Sequence, residues 1–182
     1  YKTIDKANAE PLQASTDNGM SLDEWKKAAD QLVEDVTSEG IVLLKNQNQT
    51  LPLAKGSKVT LFGRSSVDLV LGGTGAGNIN TDYVVDLKSA MEDDGRFTIN
   101  STIWDFYKTY DGKDGYVRSN GGYMGAKPED IYTAEVPVSE YTDKVKQSYI
   151  DYNDAAIVVF SRVGGEASDM PTGAFGDGEK YL

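Results

Sequence analysis

The chain has 182 residues, of which 39% are hydrophobic and 26% charged, which is typical of one soluble globular domain. Its formal net charge of −11 argues against binding to nucleic acid or to anionic lipid, and no apolar run approaches the ~20 residues of a membrane span. The absence of Cys and His removes disulfides, Ser-His-Asp and Cys-His catalysis and the commonest metal ligands, so we expect no metal and no cofactor.

The first predicted elements are a polar arm and an amphipathic helix. Residues 1–20 are polar and irregular and predict a linker or arm. Ser21 and Glu24 have the spacing of a capping box, and Gly40 stands where a left-handed C-cap would end the helix. Apolar residues between them recur at helical spacing and predict one buried stripe, made of Trp25, Ala28, Ala29, Leu32, Val33 and Val36.

The middle of the chain alternates short apolar runs with helical patterns and turns. Residues 59–63 predict a buried strand, residues 84–95 a helix that ends at a glycine, and residues 97–99 a second strand. Ser101 is the predicted N-cap of the next helix. Residues 111–135 are rich in Gly, Asp and Tyr and predict a long surface loop.

The last predicted elements are a helix and the most apolar strand. Ser139 is the predicted cap of a helix that holds Tyr141, Val145 and Tyr149. The run 155–160 is apolar throughout, which fits the centre of a parallel sheet covered on both faces. This alternation favours an α/β fold, a layered sandwich with a mostly parallel central sheet flanked by helices. Ligands bind such sheets at the carboxyl ends of the strands.

A glycine-rich stretch, Gly72 to Gly77, follows the strand predicted at 59–63. Its missing side chains would let backbone amides approach a ligand. A phosphate loop would end in Gly-Lys-Ser/Thr, where this chain has Ala76-Gly77-Asn78, and a dinucleotide fingerprint needs another glycine spacing. The pattern therefore disfavours nucleotide binding and leaves two interpretations open, a structural turn or a backbone-lined contact with a neutral ligand such as a sugar.

The loop after the last strand, residues 161–169, carries a candidate acid or base. Glu166 has small neighbours, so its carboxyl group could reach outward, and Arg162 and Asp169 could tune its pKa. Without His, acid–base chemistry must use Asp, Glu, Lys or Tyr. On the residues alone, a solvated glutamate on a Gly-rich loop is the simpler interpretation. A glycosidase needs a pair of carboxyl groups, and the sequence singles out no partner for this one.

Several motifs, taken in order, resemble one family. Glu39–Asn46, Leu51-Pro52-Leu53 and Val59–Arg64 closely resemble the opening of the α/β sandwich domain of family 3 glycoside hydrolases. Gly72–Gly77 looks like the glycine loop of that domain, and Ser161–Glu166 resembles its acid/base loop. Any one motif is weak, but their order at domain spacing makes a specific signal.

The resemblance implies a retaining, exo-acting β-glycosidase, typically a β-glucosidase, that hydrolyses terminal β-linked sugars. It implies that Glu166 is the general acid/base and that an Asp nucleophile comes from a TIM-barrel domain of the same enzyme. It also places Arg162, Thr74, Gly75 and Ala76 at the carbohydrate substrate, although members often have Ser where Ala76 stands.

The resemblance also predicts the domain organisation. Residues 21–182 are expected to form the sandwich domain, incomplete at its C-terminus, with the TIM barrel outside this chain. We expect the chain alone to be inactive, since it would lack the nucleophile. The alternative function is a non-catalytic, flavodoxin-like module that binds a nucleotide or a sugar. Nothing in the sequence indicates the cell compartment.

Overall fold

The chain divides into two compact units, Tyr1–Leu51 and Pro52–Leu182. The computed structural model describes residues 19–72, 84–116, 118–120, 131–161, 166–167, 173–174, 176 and 178. The predicted arm, residues 1–20, therefore lies almost wholly outside the described residues.

The first unit contains one described helix, α1, which spans Leu22–Gly40. Its predicted capping box is confirmed. The backbone N–H of Ser21 donates to Glu24 Oε2 at 2.8 Å, and the backbone N–H of Glu24 donates to Ser21 Oγ at 3.3 Å. These bonds satisfy two backbone amide groups at the start of the helix. The backbone N–H and the hydroxyl of Ser21 both donate to the Glu24 carboxylate and hold the pKa of Glu24 below its usual value.

Two predictions for α1 are wrong. No residue of the helix is buried, and Trp25 and Val33 of the predicted stripe are 57% and 64% exposed. Residues 19–51 form no second helix or strand against which that stripe could pack within the unit. Gly40 is the last helical residue rather than a left-handed cap, because the chain leaves the helix in an extended conformation at Ile41 (φ −74°, ψ 124°).

The second unit is an α/β domain, and its described strands and helices follow in chain order. They are β1 (Ser57–Phe62), a 3₁₀ turn (Arg64–Ser66), α2 (Leu87–Asp93), β2 (Phe97–Ile99), α3 (Ser101–Lys108), β3 (Ser119–Asn120), β4 (Ile131–Tyr132), a second 3₁₀ turn (Val138–Glu140), α4 (Asp143–Asp151) and β5 (Ala155–Val158). The helix predicted over residues 84–95 is confirmed as α2, with Asp86 as its N-cap and Gly95 after it in a left-handed conformation (φ +69°).

The main described sheet has three parallel strands in the order β2-β1-β5. Val59 of β1 pairs with Ile99 on one side and Ala155 on the other. This confirms the predicted parallel α/β fold. The strand buried on both faces is β1, however, and not the apolar run 155–160. Within the described sheet β5 lies at an edge, and its Val158 is 53% exposed.

Two apolar clusters form the core of the second unit, and α3 contributes to both. One contains Val59, Leu61, Ile99 and Trp104. The other contains Ile103, Tyr107, Tyr110, Val136 and Val145. Since neighbouring residues of α3 face different clusters, this helix joins the two halves of the core.

The N-caps of α3 and α4 differ from the predicted ones. Asn100, not Ser101, caps α3, and its Oδ1 accepts from the backbone N–H of Ile103 at 3.3 Å. The same side chain is buried and donates from Nδ2 to Thr60 Oγ at 3.1 Å and Ser148 Oγ at 3.0 Å. A serine hydroxyl cannot make all three bonds. For α4 the cap is Thr142, because Ser139 lies inside the preceding 3₁₀ turn.

The loop predicted at 111–135 contains two very short strands. Ser119–Asn120 pairs in antiparallel fashion with Ile131–Tyr132. Residues 117 and 121–130 lie outside the described part. The return of the chain after β4 brings Glu135 to the carboxyl end of β1.

Candidate functional site at the carboxyl edge of the sheet

The carboxyl ends of β1 and β5 come close at Gly63. The backbone N–H of Val159 donates to the carbonyl of Phe62 at 3.0 Å, which continues the pairing beyond the strands. Gly63 has φ +88°, and a Cβ at this position would lie 3.1 Å from the carbonyl oxygen of Val159. Glycine is therefore required both for the backbone conformation and for the close approach of the two chains.

The 3₁₀ turn after β1 begins with a buried arginine. The Arg64 side chain is 2% exposed, and its guanidinium donates to the carbonyl of Tyr116. It also pairs with Asp68 at 3.4 Å and Asp111 at 3.3 Å. These acceptors compensate the charge that burial desolvates, so Arg64 ties the turn to the segment that follows α3.

Glu135 and two tyrosines support the same turn from the other side. The Glu135 carboxylate accepts the backbone N–H of Arg64 at 2.9 and 3.0 Å. The Tyr107 hydroxyl accepts the N–H of Gly63 at 3.0 Å and is hydrogen-bonded to Tyr141. Burial raises the pKa of Tyr107, and the bond that its hydroxyl donates to Tyr141 adds to the rise. Both backbone amides at this bend are thus held by side chains distant in the sequence.

A cavity of about 290 Å³ opens beside this turn. Its polar lining includes Ser65, Tyr107, Glu135 and Tyr141, and its apolar lining includes the exposed Phe160. The cavity lining thus includes one carboxylate, several hydroxyl groups and several aromatic rings. This edge of the sheet offers hydrogen-bonding and apolar surface together, as ligand sites do.

One hydrogen bond connects the loops that follow β1 and β5. Ser161 Oγ donates to Ser65 Oγ at 2.8 Å, across 96 positions of sequence. Ser65 is 7% exposed and also accepts from the Arg118 guanidinium at 3.4 Å. The start of the predicted acid/base loop is therefore fixed to the turn after β1.

Of the predicted site residues, only Glu166 lies in the described part of the chain. It is exposed and occupies a turn in which the next residue, Ala167, has φ +56°. Arg162, Thr74, Gly75 and Ala76 lie outside the described residues. Their contacts with substrate stay predictions, as does the catalytic role of Glu166.

Several residues of this edge were missed by the sequence analysis. Ser65 directly follows the motif that ends at Arg64, which was the one available signal for it. Glu135, Tyr107 and Tyr141 lack such a signal, since each reaches the site through contacts far apart in the chain.

The described residues contain no group of three or more Asp or Glu side chains arranged to hold a metal ion. Within the same residues, no helix is both long and apolar enough to cross a membrane.

The family of the chain follows from its similarity to known proteins. Residues 41–182 match the family model of the glycosyl hydrolase family 3 C-terminal domain. The chain belongs to this family. Among curated relatives of this family 3 domain, β-glucosidase A of Butyrivibrio fibrisolvens is 32% identical over 139 residues. The match covers 74% of this chain but only 15% of that protein, so the chain spans a small part of its relative.

Solved structures of β-glucosidases resemble the family 3 domain in fold as well. A β-glucosidase from Paenibacillus barengoltzii shares 32% identity with a TM-score of 0.55, over 70% of this chain and 13% of that one. β-Glucosidase 3B from Thermotoga neapolitana, solved in complex with α-D-glucose, shares 27% identity with a TM-score of 0.59, over 79% of this chain and 19% of that one. These similarities confirm the predicted family and its α/β fold.

Proposed function

We propose that this family 3 domain is part of a retaining, exo-acting β-glycosidase of the β-glucosidase type. In this proposal Glu166 is the general acid/base. The observation that supports it best is an exposed carboxylate in the loop after β5, within a chain whose relatives are named β-glucosidases. Ligands of parallel α/β sheets bind at the carboxyl ends of strands, which is where this loop begins.

The proposed chemistry needs two carboxyl groups with different tasks. Glu166 would protonate the leaving glycosidic oxygen and then act as the base that activates water. The nucleophile would be an Asp of a TIM-barrel domain of the same enzyme, on the opposite side of the scissile bond. We therefore expect the 182-residue chain to bind no substrate productively by itself and to be inactive.

The proposed substrate is a terminal β-glucoside or a related sugar. Arg162, Thr74, Gly75 and Ala76 would border the sugar from this domain. Support for a glucose-like substrate comes from the relatives' names and from the α-D-glucose bound to the Thermotoga neapolitana enzyme. A flavodoxin-like binding module would instead bind nucleotides tightly, and calorimetry with nucleotides and with glucose distinguishes the two functions.

Replacing Glu166 in the full-length enzyme tests the catalytic role. For Glu166→Gln we expect kcat/KM on an alkyl β-glucoside to fall about 10²–10⁴-fold, because that leaving group needs a proton. On a dinitrophenyl β-glucoside, whose leaving group needs none, we expect kcat/KM to change little. Azide, which needs no general base, should restore turnover of the dinitrophenyl substrate by Glu166→Ala, with a β-glucosyl azide as product.

Glu135→Gln is the matched comparison, because Glu135 is a second exposed carboxylate at the same edge of the sheet. We expect no dependence on the leaving group and no azide rescue for this variant. The assignment of Glu166 would be wrong if Glu166→Gln lost kcat/KM equally on both substrates and azide did not restore turnover by Glu166→Ala.

A further inference from the structure

One hydrogen bond lies near the start of the loop that carries Glu166, between Ser161 and Ser65. Ser161 Oγ donates to Ser65 Oγ at 2.8 Å. Ser161 lies three positions after Val158, the last residue of β5, and Glu166 comes five positions later in the chain. The point at which the Glu166 loop leaves the sheet is therefore set by a contact with the loop after β1.

Ser65 is a rigid partner for this bond. It is buried in the 3₁₀ turn, where the N–H of Ser66 donates to the carbonyl of Gly63 at 2.9 Å. The preceding backbone amide, that of Arg64, is held by the Glu135 carboxylate. Arg118 donates to the Ser65 hydroxyl as well, at 3.4 Å. These bonds hold the turn on both sides of Ser65 and also its hydroxyl. Ser65 can therefore fix the position of Ser161 through their shared hydrogen bond.

The backbone N–H of Val159, two residues before Ser161, donates to the carbonyl of Phe62 at 3.0 Å. Phe160, between them, is exposed. The hydroxyl pair thus joins the segments after β1 and β5 in addition to this backbone bond.

We propose that Ser65 and Ser161 form a positioning pair that sets where the loop carrying Glu166 starts. The proposal rests on the proposed function, because it gives the pair a role in acid catalysis rather than in folding alone. A general acid must lie within hydrogen-bonding reach of the leaving oxygen, and a displacement of about 1 Å can cost about 10²-fold in rate. The pair acts through Glu166 and does not itself touch substrate.

The test compares two substrates in the full-length enzyme. For Ser161→Ala we expect kcat/KM on an alkyl β-glucoside to fall about 10-fold or more, since a displaced acid protonates poorly. On a dinitrophenyl β-glucoside we expect a change of less than about 2-fold, because that step needs no proton. Ser161→Thr keeps the donor hydroxyl and should restore most of the loss on the alkyl substrate.

Two controls separate positioning from stability. Ser57→Ala removes a serine hydroxyl bond of 2.7 Å, to the carbonyl of Ala54, at the opposite end of β1. It should leave the ratio of the two kcat/KM values unchanged even if the melting temperature falls. The double variant of Ser65 and Ser161 to Ala should be no worse than the poorer single variant, since both substitutions remove the same bond.

Two results would overturn the proposal. One is an equal loss on both substrates for Ser161→Ala, and the other is a double variant whose losses simply multiply. Failure of the catalytic assignment is distinguishable, because then Glu166→Gln itself would show no dependence on the leaving group. If Glu166→Gln shows that dependence and Ser161→Ala does not, Glu166 keeps its role and the positioning pair is rejected.

Discussion

Ionisation of the buried Tyr110 hydroxyl is expected to lower the stability of the domain at alkaline pH. Its side chain is 5% exposed, and its hydroxyl donates to Glu140 Oε2 at 3.0 Å. Burial raises the pKa of Tyr110 to about 12, and the bond to Glu140 adds to the rise. The folded state therefore holds this proton more tightly than the unfolded chain, in which the pKa is about 10.

The sign of the pH dependence follows directly. Below pH 10 both states keep the proton and the stabilisation is complete, and it is lost as pH rises through 12 because the unfolded state ionises first. We expect the free energy of unfolding, measured by urea titration, to fall between pH 10 and 12. Tyr110→Phe should be about 1 kcal/mol less stable than the unmodified domain at pH 8. Its free energy of unfolding should fall less between pH 10 and 12, because it lacks the hydroxyl that ionises.

The test compares how steeply the free energy of unfolding falls with pH in the unmodified domain and in Tyr110→Phe. Tyr107 and Tyr141 also have raised pKa values through burial, so a residual slope is expected in Tyr110→Phe. An equally steep decline in both proteins would mean that Tyr110 is not the group responsible. Absorbance of tyrosinate at 295 nm provides an independent count of the hydroxyls that ionise late.

Single residues differ in how well their local sequence predicts them. The capping box of Ser21 and Glu24 was predictable because both partners lie within one helical turn. The cap at Asn100 was not, because its selection over Ser101 depends on Thr60 and Ser148, hydroxyl groups 40 and 48 positions away. Patterns in the sequence report local partners and are blind to distant ones.

At the scale of elements, the bend between β1 and its 3₁₀ turn is the most constrained point of the site. For Gly63→Ala we expect a loss of about 2–5 kcal/mol in the free energy of unfolding, from backbone strain and from the contact with Val159. Gly56→Ala is the matched control, since Gly56 has φ +87° but no atom within 4 Å of its Cβ position. This variant should lose only about 1 kcal/mol, from backbone strain alone.

Urea unfolding of the two glycine variants isolates the cost of the close approach. Equal losses in Gly63→Ala and Gly56→Ala would show that strand β5 yields to the new methyl group. A larger loss in Gly63→Ala would show that the carboxyl ends of β1 and β5 are rigidly spaced, which the bond between Ser65 and Ser161 requires.

Elements with a strong local pattern were predicted well, and their neighbours in the sheet were not. The apolar run of β1 and the glycine-ended helix α2 lie where the sequence indicates. The more apolar run at 155–160 suggested a central strand, yet β5 lies at an edge of the described sheet. Apolar content indicates burial on average, whereas strand order depends on long-range pairing that no local pattern contains.

At the scale of the whole molecule, both core clusters draw all their residues from the second unit. The N-terminal-most contributor is Leu53, which packs against the cluster of Val59 and Trp104. We expect a chain that begins at Pro52 to keep one cooperative thermal transition, with a melting temperature within a few degrees of that of the 182-residue chain. Calorimetry of the two chains measures this, and a truncated chain without a cooperative transition would contradict it.

Only part of the predicted site could be recognised from the sequence. Motifs marked Arg64 and the loop of Glu166 because they are continuous stretches. Glu135 and Tyr107 complete the edge of the sheet only after the chain folds, across 71 and 44 positions. The family could therefore be inferred from the sequence, while the support around the turn after β1 needed the structure.

The buried cap Asn100 has a consequence for production of the protein in a secretory eukaryotic host. Asn100-Ser101-Thr102 matches the acceptor triplet for N-linked glycans, as Asn48-Gln49-Thr50 does. Asn48 is exposed, whereas the amide nitrogen of Asn100 is enclosed and already donates two hydrogen bonds. A glycan attached to Asn100 before folding would remove the cap of α3 and separate the helix from β1. A bacterial host avoids this risk, whereas removing only the triplet at Asn48 does not.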